Sequence, residues 1–190
     1  MYRFDDARPI ALQDFIEEIT DLTQWKSSAS VLSYVEKIKV GFRKYLGQGY
    51  YVDTFTIKKD PSSVFCLFFF SSHIRGFEKM LESKWEIDNA EGRGWVYEKS
   101  GHLFSKDRNE LEGKLLDFLK DKPKTNAEIF VFILRLGYLP KHANEILTAM
   151  QQDNRIVVLQ QDGMKARKGA FYINYDNYKS VPTKVTIKLS

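Results

Sequence analysis

The chain has 190 residues, 43% of them hydrophobic and 28% charged, with a net charge of +4; this is the profile of a soluble globular protein with one large domain or two small ones. No apolar run approaches the roughly 20 residues a membrane-spanning helix needs, and "MYRFDDARPI" lacks the basic-then-apolar order of a secretory signal. The single cysteine, Cys66, excludes an internal disulfide and a cysteine metal cluster, and points to a reducing cytoplasm.

Residues 10–25 place Leu12, Phe15, Ile16, Ile19 and Leu22 at helical spacing, which predicts an amphipathic helix. "KSSAS" then breaks the pattern and offers serines for an N-cap. A second helix follows with Leu32, Val35, Ile38, Phe42 and Leu46 as its core face and Gly47 as its stop. "YYVDTFTIK" (50–58) alternates like a strand, "KDPSS" is a turn, and Val64–Phe70 is a second strand, apolar enough to be covered on both faces. The short turn predicts an antiparallel hairpin. Residues 74–86 predict a helix with Ile74, Phe77, Leu81 and Trp85 on one side. The stretch 88–109 has three glycines and no period, and reads as a linker. Trp95 and Tyr97 within it are bulky enough that part should lie against a domain.

Three helices follow: 109–121, with Leu111, Leu115, Phe118 and Leu119 inward; 125–137, opened by the capping pair Thr125 and Glu128 and ended by Gly137; and 139–153, with Pro140 in its first turn. "RIVVLQQ" and "AFYINY" then predict a β-hairpin with the basic tip "DGMKARKGA", and "TKVTIKLS" offers a further strand. Residues 1–108 hold 16 basic and 16 acidic side chains and residues 109–190 hold 13 and 9, so the whole positive excess lies in the second part. That asymmetry hints at a partner bearing phosphates.

Helix, helix, helix, strand, basic loop, strand is the order of a winged helix-turn-helix domain, which residues 109–175 resemble. The resemblance implies that the third helix enters a nucleic-acid groove, with Lys141, His142 and Asn144 near its start, and that Lys165, Arg167 and Lys168 touch phosphates from the wing. Glu145 opposes such contact, and winged helices also serve as protein–protein modules, so DNA, RNA and protein all stand as partners.

Upstream, "FFFSSHIRGFEKMLESKWEID" with "GRGWVYE" resembles the second half of the three-Cys-motif partner family, over about Leu32 to Leu189. Members of that bacterial family join a class I methyltransferase-like domain to a C-terminal winged helix and pair with a radical-SAM-type protein. The resemblance implies an α+β chain: a truncated methyltransferase-like α/β half with an antiparallel hairpin over residues 1–100, then a winged helix-turn-helix domain over 101–190. The family's glycine-rich turn after the first strand, which holds adenosylmethionine, has no counterpart here. Gly47/Gly49 and Gly92/Gly94 are wrongly placed for it. The expectation is a non-catalytic binding module with no cofactor and no metal. The alternative is the target-recognition subunit of a split S-adenosylmethionine-dependent methyltransferase whose cofactor half is another chain. The chain would then be a natural remnant, a split-enzyme subunit or a fragment. An apolar strand at an open sheet edge needs cover, from the N-terminal helices or another subunit, so a homodimer or a complex is expected.

His73-Ile74-Arg75-Gly76 admits three readings. Catalysis would need a nucleophile and base in reach, and Ser71, Ser72 and Glu78 are not guaranteed to meet His73. A binding surface would present His73, Arg75 and Lys79 to phosphate or a partner. The third reading is a joint in which His73 makes a cap or a buried hydrogen bond, Ser71 or Ser72 caps the helix and Gly76 allows tight packing.

Overall fold

The computed structural model describes residues 10–19, 31–60, 63–89, 92, 94–96, 101–102 and 108–190. The chain divides into two compact units: Met1–Phe77 with Lys84–Phe104, and Ser105–Ser190 with Glu78–Ser83.

The first unit opens with helices α1 (Ile10–Ile19) and α2 (Val31–Leu46). The rest of the predicted first helix and the "KSSAS" cap lie outside the described residues. Ile19, Tyr34 and Ile38 form a buried cluster, against which Phe15, Phe42 and Phe68 pack. Gly47 takes a left-handed φ of 76° and donates to the Arg43 carbonyl at 3.1 Å, which ends α2. The hairpin follows as β1 (Tyr51–Asp60) and β2 (Ser63–Ser71), antiparallel with Tyr51 opposite Ser71. Helix α3 (Ile74–Ile87) buries Ile74, Phe77, Leu81 and Trp85, the four positions its period predicts. Two short strands, β3 (Gly94–Val96) and β4 (Gly101–His102), complete a mixed sheet of order β2-β1-β3-β4, in which β3 runs parallel to β1. The predicted linker therefore supplies sheet strands. Its glycines and lack of period hid two strands too short to show alternation.

Two expectations change here. The cover expected on both faces of Val64–Phe70 is incomplete: β2 has one neighbour among the described residues, and Phe65, Leu67 and Phe70 are 57%, 48% and 47% exposed. An apolar run reports greasiness, not position in a sheet. At the strand–helix joint His73 itself is the N-cap of α3: its Nδ1 accepts the Arg75 N–H at 3.2 Å. Ser71 instead braces that cap, its hydroxyl accepting the His73 N–H at 3.1 Å and donating to the His73 carbonyl at 2.9 Å. A Cβ on Gly76 would sit 3.3 Å from Ser71 Oγ, so the glycine does allow close packing.

The second unit comprises α4 (Arg108–Asp121), β5 (Lys124–Thr125), α5 (Asn126–Arg135), α6 (Pro140–Gln152), β6 (Ile156–Gln160), α7 (Tyr175–Tyr178) and β7 (Val185–Leu189). Leu111, Leu115, Ile129, Phe130, Ile133, Leu147 and Met150 are almost wholly buried between the helices. Phe118, predicted inward, is half-buried and stacks on Phe132 at 4.0 Å. Gly137, φ 82°, donates to Leu134 while Tyr138 donates to Ile133, a turn that stops α5 before α6 starts. The sheet order is β5-β7-β6, all antiparallel.

The predicted second wing strand, "AFYINY", is not a strand. β6 pairs instead with β7, Ile156 opposite Leu189 and Gln160 opposite Val185. Phe171 and Ile173 are buried, while Tyr172 between them adopts a left-handed φ of 53°. Alternation in residues 170–175 reflects two core anchors on irregular backbone, which imitates a strand's period of two.

Candidate nucleic-acid interface

The loop from β6 to α7 is fixed by backbone bonds. It turns at Asp162-Gly163, where Gln160 N–H reaches the Met164 carbonyl at 2.8 Å and Met164 N–H reaches Asp162 Oδ1 at 2.9 Å. It then returns along β6: Lys165 bridges Leu159, and Ala166 N–H donates to the Val158 carbonyl at 2.9 Å. Gly169 N–H donates to Gln151 Oε1 at 2.9 Å, tying the loop to the last turn of α6. Lys165, Arg167 and Lys168 are all exposed on this short frame, and among the described residues none of the three is ion-paired. The loop is thus a held cluster of three cations.

The α6 candidates are arranged differently. Lys141 is exposed in the first turn. His142 is half-buried, its Nδ1 accepting the Leu139 N–H at 3.1 Å, so the imidazole closes the start of the helix. Asn144 Oδ1 is buried and accepts no hydrogen bond from the described residues, while the Asn144 carbonyl takes the Thr148 hydroxyl at 2.7 Å. The other exposed positions on α6 are Glu145, Ala149 and Gln152, so this surface carries no net charge. Lys141 is ten residues from Gln151 along α6, about 15 Å at the helical rise. The structure gathers Lys165, Arg167 and Lys168, and leaves Lys141 at the other end of the helix.

His73, Arg75 and Lys79 share the first two turns of α3. The His73 ring is engaged as the cap, and Lys79 pairs with Glu82 at 2.6 Å. Arg75 is half-buried.

Beside the loop lies a groove of about 610 Å³, lined among others by Gln160, Asp162, Arg167, Tyr172 and Lys184. Of these the sequence had singled out Arg167 alone. Tyr172 and Lys184 come from segments read as strands, and nothing in their local pattern predicts that one buried residue would bring them together. That residue is Asn126, fully buried at the start of α5. Its Nδ2 donates to the carbonyls of Tyr172 (3.2 Å) and Asn177 (3.3 Å), and its Oδ1 accepts the N–H groups of Lys184 (3.0 Å) and Val185 (3.4 Å).

Gly47 closes a helix, and a Cβ on Gly92 would lie 2.7 Å from the Trp85 ring, so that backbone faces packed indole rather than space for a ligand. Among the described residues no group of His, Cys, Asp and Glu has metal-binding geometry, and no helix is long and apolar enough to cross a membrane.

Residues 86–163 match the family model of the GMT-like wHTH domain, a winged helix-turn-helix. The match covers α4, β5, α5, α6 and β6 and reaches upstream over β3 and β4. No curated protein and no solved structure matches the chain.

Proposed function

We propose that the protein is a non-catalytic binding module whose winged helix-turn-helix domain, residues 101–190, contacts DNA or RNA through its wing. The carrying observation is the loop cluster: Lys165, Arg167 and Lys168, exposed, and held in place by β6 and Gln151. Three adjacent cations neutralise phosphates regardless of sequence, and Lys141 adds a further charge at the start of α6, with His142 and Asn144 behind it. The near-neutral surface of α6 favours backbone contact over base reading. The test is binding of the full chain to labelled oligonucleotides across a salt series. Replacing Lys165, Arg167 and Lys168 together by Ala should weaken binding and reduce the salt slope by about 2–3, close to one per lost phosphate contact. Unchanged affinity in 50 mM salt overturns this reading.

Residues 1–100 are proposed as a methyltransferase-like platform, with β2 pairing against a second chain. The observation favouring this is the uncharged apolar edge of β2. A second copy is the proposed occupant. In the alternative reading, a cofactor-bearing methyltransferase chain takes that edge and this chain supplies target recognition. The radical-SAM-type partner of the three-Cys-motif family, and phosphate or partner contact at His73, Arg75 and Lys79, belong to the same proposal. A cytoplasmic location is part of the same proposal; burial pushes the Cys66 thiol above its ordinary value, which lowers its thiolate fraction.

A further inference from the structure

We infer that the groove beside the wing is a pocket for one unpaired nucleotide, its base stacked on Tyr172 and its phosphate held by Arg167 and Lys184. The inference rests on the nucleic-acid reading of the wing and adds what that reading leaves open: the form of nucleic acid preferred.

The backbone at Tyr172 carries the argument. A left-handed conformation is unfavourable for a non-glycine residue, and such strain persists only where neighbours enforce it; Tyr172 has φ 53°. Here Phe171 and Ile173 are buried on either side, 1% and 2% exposed, while Tyr172 is 42% exposed and lines the groove. The conformation is clamped by Asn126, which takes the Tyr172 carbonyl with one end of its amide and the Lys184 N–H with the other. One fully buried side chain thus fixes the backbone of an aromatic and of a cation that are twelve residues apart in sequence, on the same groove. Gln161 adds a second tie by donating to the Thr183 carbonyl at 2.7 Å.

The chemistry of the lining selects the ligand. An aromatic face gives base stacking of any sequence, and two cations give phosphate contact. The Gln160 amide adds a donor and an acceptor at the groove wall for a base edge. A base inside a duplex is covered above and below by its neighbours and offers no face to a tyrosine, so the ligand is a single strand or the unpaired end of a duplex.

The test compares a blunt duplex with the same duplex carrying a short single-stranded overhang, by fluorescence anisotropy with the full chain. The overhang should bind roughly tenfold tighter, as expected for one stacked base. Tyr172→Asn removes the ring while keeping a residue that tolerates positive φ, so the fold is retained; it should abolish the overhang preference and leave blunt-duplex affinity unchanged. Tyr172→Phe should keep the preference. Equal affinity of the wild type for the two duplexes, or an overhang preference that survives Tyr172→Asn, overturns the pocket while leaving the wing reading intact. Absence of binding to either duplex at low salt overturns both. A poly-glutamate competitor that displaces the overhang as well as an oligonucleotide of equal charge would show an acidic-peptide site instead.

Discussion

At the start of α5, Thr125 and Glu128 satisfy each other's polar groups. Thr125 Oγ1 accepts the Glu128 N–H at 3.2 Å, and Glu128 Oε2 accepts the Thr125 N–H at 2.8 Å and its hydroxyl at 2.9 Å. Burial alone would raise the Glu128 carboxyl, but the Thr125 bonds and the charges of Lys122 and Lys124 outweigh it and hold the group below its ordinary value. A carboxyl depressed in the folded state adds stability above its unfolded pKa, near about 4.3, and loses that contribution as pH falls through the lower folded value. Thr125→Ala should cost about 1 kcal/mol in urea unfolding at pH 7. Glu128→Gln should be less stable than wild type at pH 7 and should converge on it as the pH drops below the carboxylate range. A gap that stays constant with pH would show that the charge contributes nothing. The Thr–x–x–Glu spacing made this cap legible in the sequence. The imidazole cap of α6 was not legible, because His142 carries a more familiar role in binding than in capping; at α3 the sequence pointed to a cap or a buried hydrogen bond at His73 but gave the helix N-cap to Ser71 or Ser72. Each ring here supplies one acceptor to one orphan N–H.

Among the elements, β1 at the centre of the first sheet organises its surroundings. Lys84 from α3 donates to Asp53, buried in β1, and Lys39 from α2 lies 3.7 Å from the same carboxylate. Burial holds the Lys84 ammonium below its ordinary value against the opposing pull of Asp53. Past α3 the chain doubles back: Gly92 N–H donates to the Asp88 carbonyl at 2.8 Å, and Asp88 Oδ2 accepts the Gly94 N–H at 3.2 Å. Gly92 has φ 61°, and a Cβ there would lie 2.7 Å from the Trp85 ring. Gly92→Ala should therefore destabilise the unit by at least about 1–2 kcal/mol from the left-handed backbone alone, with the ring contact adding to it. Chemical denaturation giving an unchanged midpoint would show that the turn can rearrange. Helices α1 to α6 were legible because their apolar faces repeat over ten or more residues; the four-residue α7 was not. β3, β4 and β5 were not, since two or three residues cannot display a period. The β6–β7 pairing was missed because "AFYINY" offers a nearer, equally alternating partner. The groove depends on that long-range pairing and on Asn126, so it stayed out of reach of any local pattern.

At the scale of the whole molecule, the first sheet ends, among the described residues, at a strand with no charge, "SVFCLFFFS". Edge strands of soluble proteins are commonly blunted by Lys, Pro or a bulge, and within Val64–Phe70 there is no Lys or Pro and the register with β1 is unbroken. The sequence of β2 is also self-complementary about Leu67. An antiparallel pair of two copies would set Ser63 against Ser71, Val64 against Phe70, Phe65 against Phe69 and Cys66 against Phe68, with Leu67 facing its own copy. Hydroxyls meet hydroxyls at the ends and apolar side chains meet between them, which supplies the cross-strand pairs that stabilise a sheet. The two-fold arrangement would set the exposed Phe65 and Leu67 of each chain beside apolar side chains of the other and make one continuous sheet, with the same patch on both copies. Light scattering after size exclusion should give twice the 22.2 kDa chain mass for the wild type. Leu67→Lys, at a position already half exposed, should leave the monomer folded but set two ammonium groups opposite each other, shifting the protein to the single-chain mass. A wild type that elutes at the single-chain mass at tens of micromolar would remove the second copy as occupant of the edge and turn the search to a different chain.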